Sequence, residues 1–409
     1  MRVEADSPSC QNFDTRVAPL ISNPFHRVGF SGTLRAIRTS HGANVMNMVT
    51  KMKTDWDRRA RHHARYWIAI EDYQDDQTFS RSGEQTANAI LDILSPRDPR
   101  HWKALEVGCG IGRVLKPLAR HFAHLVGVDI SKEMIAQSKE WLCGLKNVKT
   151  MESSGVDLQL FPDASFELVY SYITFQHLPL PVFERYLAES HRVLRPGGCL
   201  VFQLYVGQGN EPPPGDTIAL RAHDKAKLDE RLEKAGFRRE KHKVEHRTPE
   251  GLESWLILAK RSSSSNMRIE LGPLETECVE TDSPMDAHLY RNLASNYLRE
   301  GKHSDAVATL LESVRCHPNH LDTSLELATL LVEEGRHEES VDILMQVTEL
   351  HPKYVDAYLS LIQLLVLLGR QVDAREVGRR LEAGCPDLAS ELRDQARTLI
   401  AGAESTIRE

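Results

Sequence analysis

The stretch ALEVGCGIGRV (residues 104–114) decides the fold of the central part of the chain. Four residues with the pattern of a buried strand run into glycines at positions 108, 110 and 112, and a helical pattern follows from Arg113. Glycine lets a backbone turn tightly and approach a ligand closely, because no side chain intervenes. The stretch therefore predicts a strand, a ligand-binding turn and a helix, an arrangement that several classes of nucleotide-binding fold share.

Short apolar runs alternate with helical patterns from Trp102 to Lys260. Strands that alternate with helices predict parallel pairing through right-handed crossovers, which gives a doubly wound α/β sheet. The last two strands, near 237–244 and 254–260, are joined by a short polar loop and should form an antiparallel hairpin at the sheet edge. Upstream, apolar residues spaced by three or four predict amphipathic helices over 45–70 and 84–94.

Two acidic residues flank the glycine turn. Glu106 precedes Gly108 by two residues, and a carboxylate there can accept hydrogen bonds from an ammonium group. Asp129 ends the apolar run LVGV roughly 20 residues beyond Gly108, and a carboxylate at that strand end can accept both hydroxyls of a ribose. Asp129 would serve NAD equally well, so this residue alone leaves a dehydrogenase open.

Residues 100–262 resemble the class I S-adenosylmethionine-dependent methyltransferases. The segments that carry the resemblance are ALEVGCGIGRV (104–114), VGVDISKEMI (126–135), FPDASFELVYSYITFQHLP (161–179) and HRVLRPGG (191–198). The FQHLP segment, together with WDRRARHHARYWIAIEDY (56–73), is similar to a bacterial branch of this class. The resemblance implies a Rossmann-like sheet of seven strands, S-adenosylmethionine as cofactor and methyl transfer as the reaction.

The resemblance also implies how the cofactor would be held. Glu106 would accept hydrogen bonds from the ammonium group of the methionine moiety, and Asp129 would bind the ribose. Residues after Asp129 would pack on the adenine, although Met134 would be a core residue in any α/β sheet. The predicted cofactor-binding residues are Glu106, Gly108, Gly110, Gly112, Asp129, Ile130, Met134, Gly155, Val156 and Ser171.

The fourth strand, predicted over 167–172, delivers the residues up to His177 to the carboxyl edge of the sheet, where ligands bind in this fold. His177 is the best candidate for a general base, because an imidazole that titrates near neutrality suits removal of a proton from a hydroxyl acceptor. Tyr172 and Gln176 beside it are further catalytic candidates. The alternative is that His177 caps the segment before Leu178 or lines the pocket without proton transfer.

The N-terminal helical region is the natural lid over the acceptor pocket. Trp56, Tyr66 and Tyr73 are predicted to line that pocket, with ordinary packing of the helix on the sheet as the alternative. The basic run over 58–65 is interpreted as the solvated face of a helix, in preference to a basic patch.

A second region repeats with a constant interval of 34 residues. Glycines recur at 301, 335 and 369, and prolines at 318, 352 and 386. This period resembles that of the tetratricopeptide repeat (TPR), a helix–turn–helix unit that stacks into an all-α solenoid. The pattern predicts three repeats and a capping helix.

The predicted organisation is a disordered leader (1–43), a methyltransferase domain (44–262, with the lid over 44–100), a linker (263–285) and a TPR domain (286–403). A net charge of −7 gives no field that attracts nucleic acid. The seven cysteines are dispersed and never spaced as C-x-x-C, which argues against disulfides and against a metal site. With no apolar run of membrane-spanning length and no secretory start, the expected compartment is the cytoplasm.

The sequence thus predicts an S-adenosylmethionine-dependent methyltransferase that acts on an oxygen or nitrogen atom of a small molecule or glycan. The TPR array would dock a protein partner. The alternatives are a protein methyltransferase and a scaffold that binds the cofactor without turnover. An NAD-dependent dehydrogenase is disfavoured by Glu106 and by the FQH segment, and methylation of nucleic-acid bases by the lack of an Asn/Asp-Pro-Pro-Tyr/Phe motif after the fourth strand.

Overall fold

The computed structural model describes residues 45–209, 212, 215–262, 277–279, 283–385, 394 and 396–399. These residues belong to one compact unit. The predicted leader and most of the predicted linker and capping helix lie outside the described residues.

Two helices open the described chain after a short strand, β1 (Val45–Asn47). Helix α1 (Met48–Ile68) corresponds to the predicted amphipathic helix and is kinked at His63, whose φ of −166° and ψ of 78° leave helical geometry. Helix α2 (Asp76–Leu94) begins earlier than predicted, because the side chain of Asp75 accepts a hydrogen bond from the backbone N–H of Thr78 and caps the helix there.

Eight strands form the central sheet. They are β2 (Lys103–Val107), β3 (His124–Asp129), β4 (Val148–Glu152), β5 (Phe166–Ser171), β6 (Leu194–Val206), β7 (Ala222–His223), β8 (Phe237–Arg247) and β9 (Glu253–Arg261). Seven of them follow the order β4-β3-β2-β5-β6-β9-β8, and β7 pairs with β6 beside that path. The pairs from β4 to β6 are parallel, whereas β9 is antiparallel to both β6 and β8. The predicted doubly wound sheet with an antiparallel edge is confirmed.

Helices cover both faces of this sheet. Between the strands run α3 (Leu115–Leu118), α4 (Lys132–Trp141), α5 (Leu180–Val193) and α6 (Lys225–Lys234). One hydrophobic cluster joins Leu105 and Val169 to Phe183 of α5, and the opposite face joins Leu168 to Ile90 of α2. Successive side chains of a buried strand point to opposite faces of the sheet, so hydrophobic cores lie on both faces, as expected for parallel strands.

Six helices in three antiparallel pairs follow a second short strand, β10 (Glu277–Val279). They are α7 (Pro284–Arg299), α8 (His303–Cys316), α9 (Leu321–Glu333), α10 (His337–Leu350), α11 (Val355–Leu367) and α12 (Gln371–Gly384). Strand β10 lies within the predicted linker and pairs antiparallel with β1. The helical array begins at Pro284, two residues before the predicted start of the TPR domain, because Ser283 caps α7.

The repeated glycines at 301, 335 and 369 follow the first helix of each pair, and all three have a φ of +72°. A Cβ added at any of them would meet nothing within 4 Å. The requirement for glycine is therefore the left-handed backbone and not the available space.

Replacing Gly335 by Ala should destabilise the array by about 1–2 kcal/mol, because the left-handed conformation is less favourable by that amount for a residue with a Cβ. Thermal unfolding of the full chain measures the loss as a lowered Tm. Gly335→Asn is the matched control, since Asn tolerates this conformation better than Ala. Equal Tm values for the Ala variant and the unaltered chain would contradict this account.

The basic run in α1 is not uniformly a solvated face. Arg61 is exposed as predicted, but Arg59 is only 1% exposed and Arg58 is also largely buried. Both donate to the carboxylate of Asp286 in α7, Arg59 through Nε (3.2 Å) and Arg58 through Nη2 (3.2 Å). The prediction of a solvated face was wrong for these two residues, because their anion lies far away in the sequence.

Among the described helices, none is long and apolar enough to cross a membrane.

Candidate active site

A cavity lies at the carboxyl ends of β2, β3 and β5, and the empty space between its walls, with the solvent open to it, is about 910 Å³. The chain leaves β2 and β5 in opposite directions across the sheet, which creates the switch point where ligands bind in doubly wound folds. Helix α1 closes the opposite side. The predicted site residues that line this cavity are Trp56, Glu106, Gly108, Gly110, Asp129, Ile130, Met134, Gly155, Tyr172 and His177.

Gly108 and Asp129 shape the turn at the floor of the cavity. Gly108 has a φ of +77°, and a Cβ at this position would collide with the side chain of Thr174. The N–H of Gly110 donates to Oδ2 of Asp129 (2.8 Å), and the N–H of Ser131 donates to Oδ1 (2.9 Å). Asp129 thereby fixes the turn to the start of α4, while each carboxylate oxygen keeps the capacity to accept a further hydrogen bond. Burial raises the pKa of Asp129 to about 6.

Glu106 is a buried carboxyl group at the end of β2, 2% exposed. Its Oε2 accepts a hydrogen bond from the hydroxyl of Tyr170 (3.1 Å). Burial raises the pKa of Glu106 to about 8, against the lowering effects of Tyr170 and Arg113. A ligand that brings a cation to this position would stabilise the ionised carboxylate, so the site fits the ammonium group of S-adenosylmethionine.

The wall beyond Asp129 is apolar and is covered by α1. Ile130 and Met134 line the cavity, and Met134 is 1% exposed. Helix α1 is fixed there by Lys53, whose Nζ donates to the carbonyl of Ile130 (3.2 Å), and by Asp57, which accepts from Ser131 Oγ (2.7 Å). A carboxylate at the strand end beside an apolar wall fits a ribose joined to an adenine.

His177 faces the same cavity from a single 3₁₀ turn after β5. Its Nδ1 lies 3.3 Å from the carbonyl oxygen of Ala219, which can only accept, so Nδ1 carries the proton. Nε2 then holds the lone pair and accepts from the amide of Gln176 (3.1 Å). Burial lowers the pKa of His177 to about 4, and Arg59 and Arg221 contribute to the lowering. The imidazole is therefore a neutral proton acceptor at physiological pH. The sequence had predicted that it titrates near neutrality, and in the structure it does not.

Trp56 is the lid residue that reaches His177, with 6.4 Å between the two ring centroids. The guanidinium of Arg59 lies 4.9 Å from the ring centroid of Trp56 and 5.5 Å from that of Trp67. Trp67 and Thr217 also line the cavity. The end of the cavity near His177 is thus built by α1 and the segment around Thr217.

The structure places Tyr66 and Tyr73 away from the cavity. Their rings pack edge to face with centroids 5.1 Å apart, and the hydroxyl of Tyr66 donates to the carbonyl of Leu289 in α7 (2.8 Å). Both residues are buried in a cluster with Tyr290 and Leu293. The reason is that this part of α1 packs on the first helix of the repeat array and not on the sheet.

Four other predicted residues support the site without lining it. A Cβ at Gly112 would collide with Leu142, and Val156 packs on the hydrophobic core. Ser171 Oγ donates to the carbonyl of Val107 (2.9 Å), which ties β5 to β2, and Gln176 orients His177 as described. Tyr172 lines the cavity, but its hydroxyl donates to Glu245 (3.0 Å), so it is already engaged.

Sequence reasoning missed several lining residues. Thr174 lies within the segment that was singled out before His177, and its place after β5 could have indicated it. Trp67 and Ile68 belong to the predicted lid but carried no separate signal. Thr217 belongs to no motif, and only the folded chain brings it to the cavity.

Comparison with known proteins identifies both parts of the chain. Residues 105–202 match the family described as "Methyltransferase domain", and residues 297–365 match the family described as "Tetratricopeptide repeat". The predicted methyltransferase domain and TPR array are confirmed over the matched residues, and the predicted domain bounds and cofactor stay predictions.

Several curated relatives are methyltransferases, and each of the two that follow matches over part of its length. Phosphoethanolamine N-methyltransferase 3 of Arabidopsis thaliana is 30% identical over 166 residues, which cover 39% of this chain and 33% of the relative. Phosphatidylethanolamine N-methyltransferase of Cereibacter sphaeroides is 34% identical over 115 residues, which cover 28% of this chain and 55% of the relative. The chain therefore spans about a third of the length of the first relative and about half of the second.

Solved structures of methyltransferases are also similar to part of the chain. Magnesium protoporphyrin IX methyltransferase from Synechocystis PCC 6803 with bound S-adenosylmethionine is 17% identical, with a TM-score of 0.42, and the match covers 55% of this chain and 100% of that one.

Proposed function

We propose that this chain transfers the methyl group of S-adenosylmethionine to an oxygen or nitrogen atom of a small molecule or glycan. The observation that carries the proposal is one cavity in the methyltransferase domain. Glu106, Asp129, His177 and Trp56 all line this cavity. The cofactor supplies an electrophilic methyl group, so the protein has to orient the acceptor and, for a hydroxyl, accept its proton.

The residues of the glycine turn would hold the cofactor. The carboxylate of Glu106 would pair with its ammonium group, and the carboxylate of Asp129 would accept hydrogen bonds from the ribose hydroxyls. Ile130 and Met134 would pack on the adenine, with the backbone of Gly155 beside its edge. Each of these residues lines the cavity, which supports the assignment.

His177 and Trp56 would receive the acceptor. The lone pair on Nε2 of His177, which accepts from Gln176 in the ligand-free protein, would exchange that partner for the hydroxyl of the acceptor and take its proton as the new bond to carbon forms. A weak base suffices for this step, because an oxygen that gains a methyl group becomes a strong acid. An aliphatic amine is largely protonated at neutral pH and attacks only after it has lost that proton. The proton can leave to solvent before transfer, so with a nitrogen acceptor His177 would only line the pocket.

The names of the curated relatives suggest which amine to test. Both relatives named above are N-methyltransferases, one of phosphoethanolamine and the other of phosphatidylethanolamine. Phosphoethanolamine is therefore the first nitrogen acceptor that we propose to offer the protein.

The repeat array would dock a protein partner, as stacked TPR units do through an extended concave surface. A protein methyltransferase, in which the docked partner is itself the acceptor, is the second candidate. Its support is that the array and the methyltransferase domain belong to one compact unit. Crosslinks from a bound partner should then fall on α9 and α11, and a labelled methyl group should appear on the same partner.

Binding and transfer are tested in turn. Calorimetry with S-adenosylhomocysteine should give a dissociation constant in about the micromolar range that is usual for cofactors of this size. Tritium from labelled S-adenosylmethionine should then appear in phosphoethanolamine or in one fraction of a host extract separated into polysaccharide, protein and small molecules. Folded protein that does not bind S-adenosylhomocysteine would remove the proposal, and binding without transfer to any fraction would favour the scaffold alternative.

A further inference from the structure

We infer that the first helix of the repeat array, α7, completes the acceptor side of the active site, and that Asp286 is a positioning residue for methyl transfer. This inference rests on the proposed function. It gives the array a role in the active site, in addition to the docking of a partner. Asp286 would act through Arg59 on the aromatic residues that line the cavity.

Asp286 lies at the centre of a buried ionic cluster between α1 and α7 and is 1% exposed. Its Oδ1 accepts from Nε of Arg59 (3.2 Å), its Oδ2 accepts from Nη2 of Arg58 (3.2 Å), and Nε2 of His317 lies 3.0 Å from the same Oδ2. The N–H of Asp286 donates to Ser283 Oγ (3.1 Å), which caps α7. Both carboxylate oxygens are therefore engaged, and the carboxylate has one fixed orientation.

Arg59 connects Asp286 to the cavity. Its guanidinium lies over the rings of Trp56 and Trp67, 4.9 Å and 5.5 Å from their centroids, and its Nη1 donates to Thr217 Oγ1 (3.0 Å). Trp56, Trp67 and Thr217 all line the cavity. One guanidinium plane, held by a carboxylate from the repeat array, thus contacts three lining side chains at once.

Helix α1 contributes a carboxylate of its own to this cluster, and several groups share it. Asp55, the acidic residue nearest to the cluster on α1, accepts from Lys51 (3.1 Å) and from Thr217 Oγ1 (2.7 Å) and pairs with Arg58 (3.0 Å). A buried guanidinium without its own carboxylate is strongly unfavourable. The charge of Arg59 also lowers the pKa of Asp55, but the carboxylate that the guanidinium contacts directly is that of Asp286. The place of Arg59 beside the two indole rings therefore depends on α7.

The chain connects the two helices independently of these ion pairs. Strand β1 immediately precedes α1, strand β10 lies shortly before α7, and the two strands pair with Asn47 opposite Glu277. Both helices thus start from the same two-stranded ladder. This pairing is a further contact between the segments that precede α1 and α7.

The cofactor side of α1 is held by other contacts. Lys53 bonds to the carbonyl of Ile130 and Asp57 bonds to Ser131, on the adenine side of the cavity. Loss of Asp286 should therefore disturb the acceptor side selectively and leave cofactor binding close to normal.

The test compares the full-length protein with its Asp286→Asn variant, which keeps the shape of the side chain but removes its charge. We expect the affinity for S-adenosylhomocysteine to change by less than about 2-fold, while methyl transfer to the same extract fraction falls about 10-fold through misplacement of the acceptor. Acrylamide should quench the fluorescence of Trp56 more strongly in the Asp286→Asn variant than in the unaltered protein. The Trp56 signal is obtained in each of the two proteins as the difference from the same protein with Trp56→Phe. This last readout needs no acceptor.

Arg59→Lys is the second variant, used for the same measurements and decisive if Asp286→Asn does not fold. It keeps the positive charge, but a lysine cannot contact Asp286, Thr217 and two rings with one planar group. The control is Arg291→Gln, which removes an ion pair with Glu326 between α7 and α9 without touching α1.

The outcomes separate this inference from the proposed function. Unaltered protein that fails to bind S-adenosylhomocysteine removes the proposed function. Binding by the unaltered protein, with quenching and transfer the same in both cluster variants, overturns the role of Asp286. Equal loss of cofactor binding and transfer in folded variants also overturns it, because the effect would then not be confined to the acceptor side.

Discussion

At pH 8 and above, the Glu106→Gln variant is expected to bind S-adenosylmethionine about 100-fold more weakly than the unaltered protein. Glu106 is 2% exposed, and it is the carboxyl group that the proposed site offers to the ammonium of the cofactor. Removing one partner of a buried, hydrogen-bonded charge pair costs about 3 kcal/mol, which corresponds to roughly two decades in affinity. Calorimetry with S-adenosylhomocysteine measures the loss directly.

The pH dependence of binding provides a second signature of Glu106. Its pKa is raised to about 8 by burial, so the carboxyl group is mostly protonated at lower pH in the ligand-free protein. A cationic ligand selects the ionised form, and the proton must leave on binding. Affinity should therefore rise by about 10-fold per pH unit from pH 6 to pH 8 and level off above.

The Glu106→Gln variant should show no such slope, because it has no proton to release at this position. Glu184→Gln is the control, since Glu184 is on the outside of α5 in an ion pair with Arg231. Retained affinity in the Glu106 variant, or a slope that persists there, would contradict the assignment of Glu106 to the ammonium group.

Without ligand, the same group should lower the stability of the fold. A carboxyl group whose pKa rises from 4.5 to about 8 on folding binds its proton more tightly in the folded state. The stability of the ligand-free protein should then fall as the pH rises through this interval. Glu106→Gln removes this pH-dependent loss of stability, so the variant should have a higher Tm at pH 8 than the unaltered protein. Reduced stability at a functional group is a usual cost of function.

The local signals in the sequence were sufficient for much of the fold and for the cofactor side of the site. Strand, glycine turn and strand-end acid are close in sequence, and Glu106, Gly108 and Asp129 meet at the cavity because parallel strands end at one edge. The regular glycine interval likewise marked the helix ends of the repeats. In each case the residues that interact are neighbours in the chain or in adjacent strands.

The acceptor side could not be predicted in the same way. The contacts of Arg59 with Asp286 and Thr217, and of Tyr66 with Leu289, join residues that are more than a hundred positions apart. Periodicity in α1 shows that a face is apolar, but it does not show that the repeat array covers part of that face. Tyr66 and Tyr73 were therefore predicted in the pocket, although they pack on α7.

His177→Ala is expected to lower the rate of methyl transfer to a hydroxyl acceptor by about 100-fold or more, the usual contribution of a general base. Cofactor affinity should stay within about 2-fold, because the proposed cofactor contacts lie at Glu106 and Asp129. The rate is measured at saturating labelled cofactor with the acceptor that the extract fractions provide. His303→Ala, an exposed histidine paired with Glu334 in the repeat array, is the matched control.

The pH profile of the unaltered enzyme should distinguish this role from a histidine that titrates near neutrality. With a pKa of about 4, Nε2 of His177 keeps its lone pair above pH 5, so kcat should be flat with respect to this group and fall only as the pH approaches 4. A folded His177→Ala variant with a normal rate would rule out the general base. Since an amine attacks in its neutral form, that outcome would also direct the search for the acceptor to amines, and first to phosphoethanolamine.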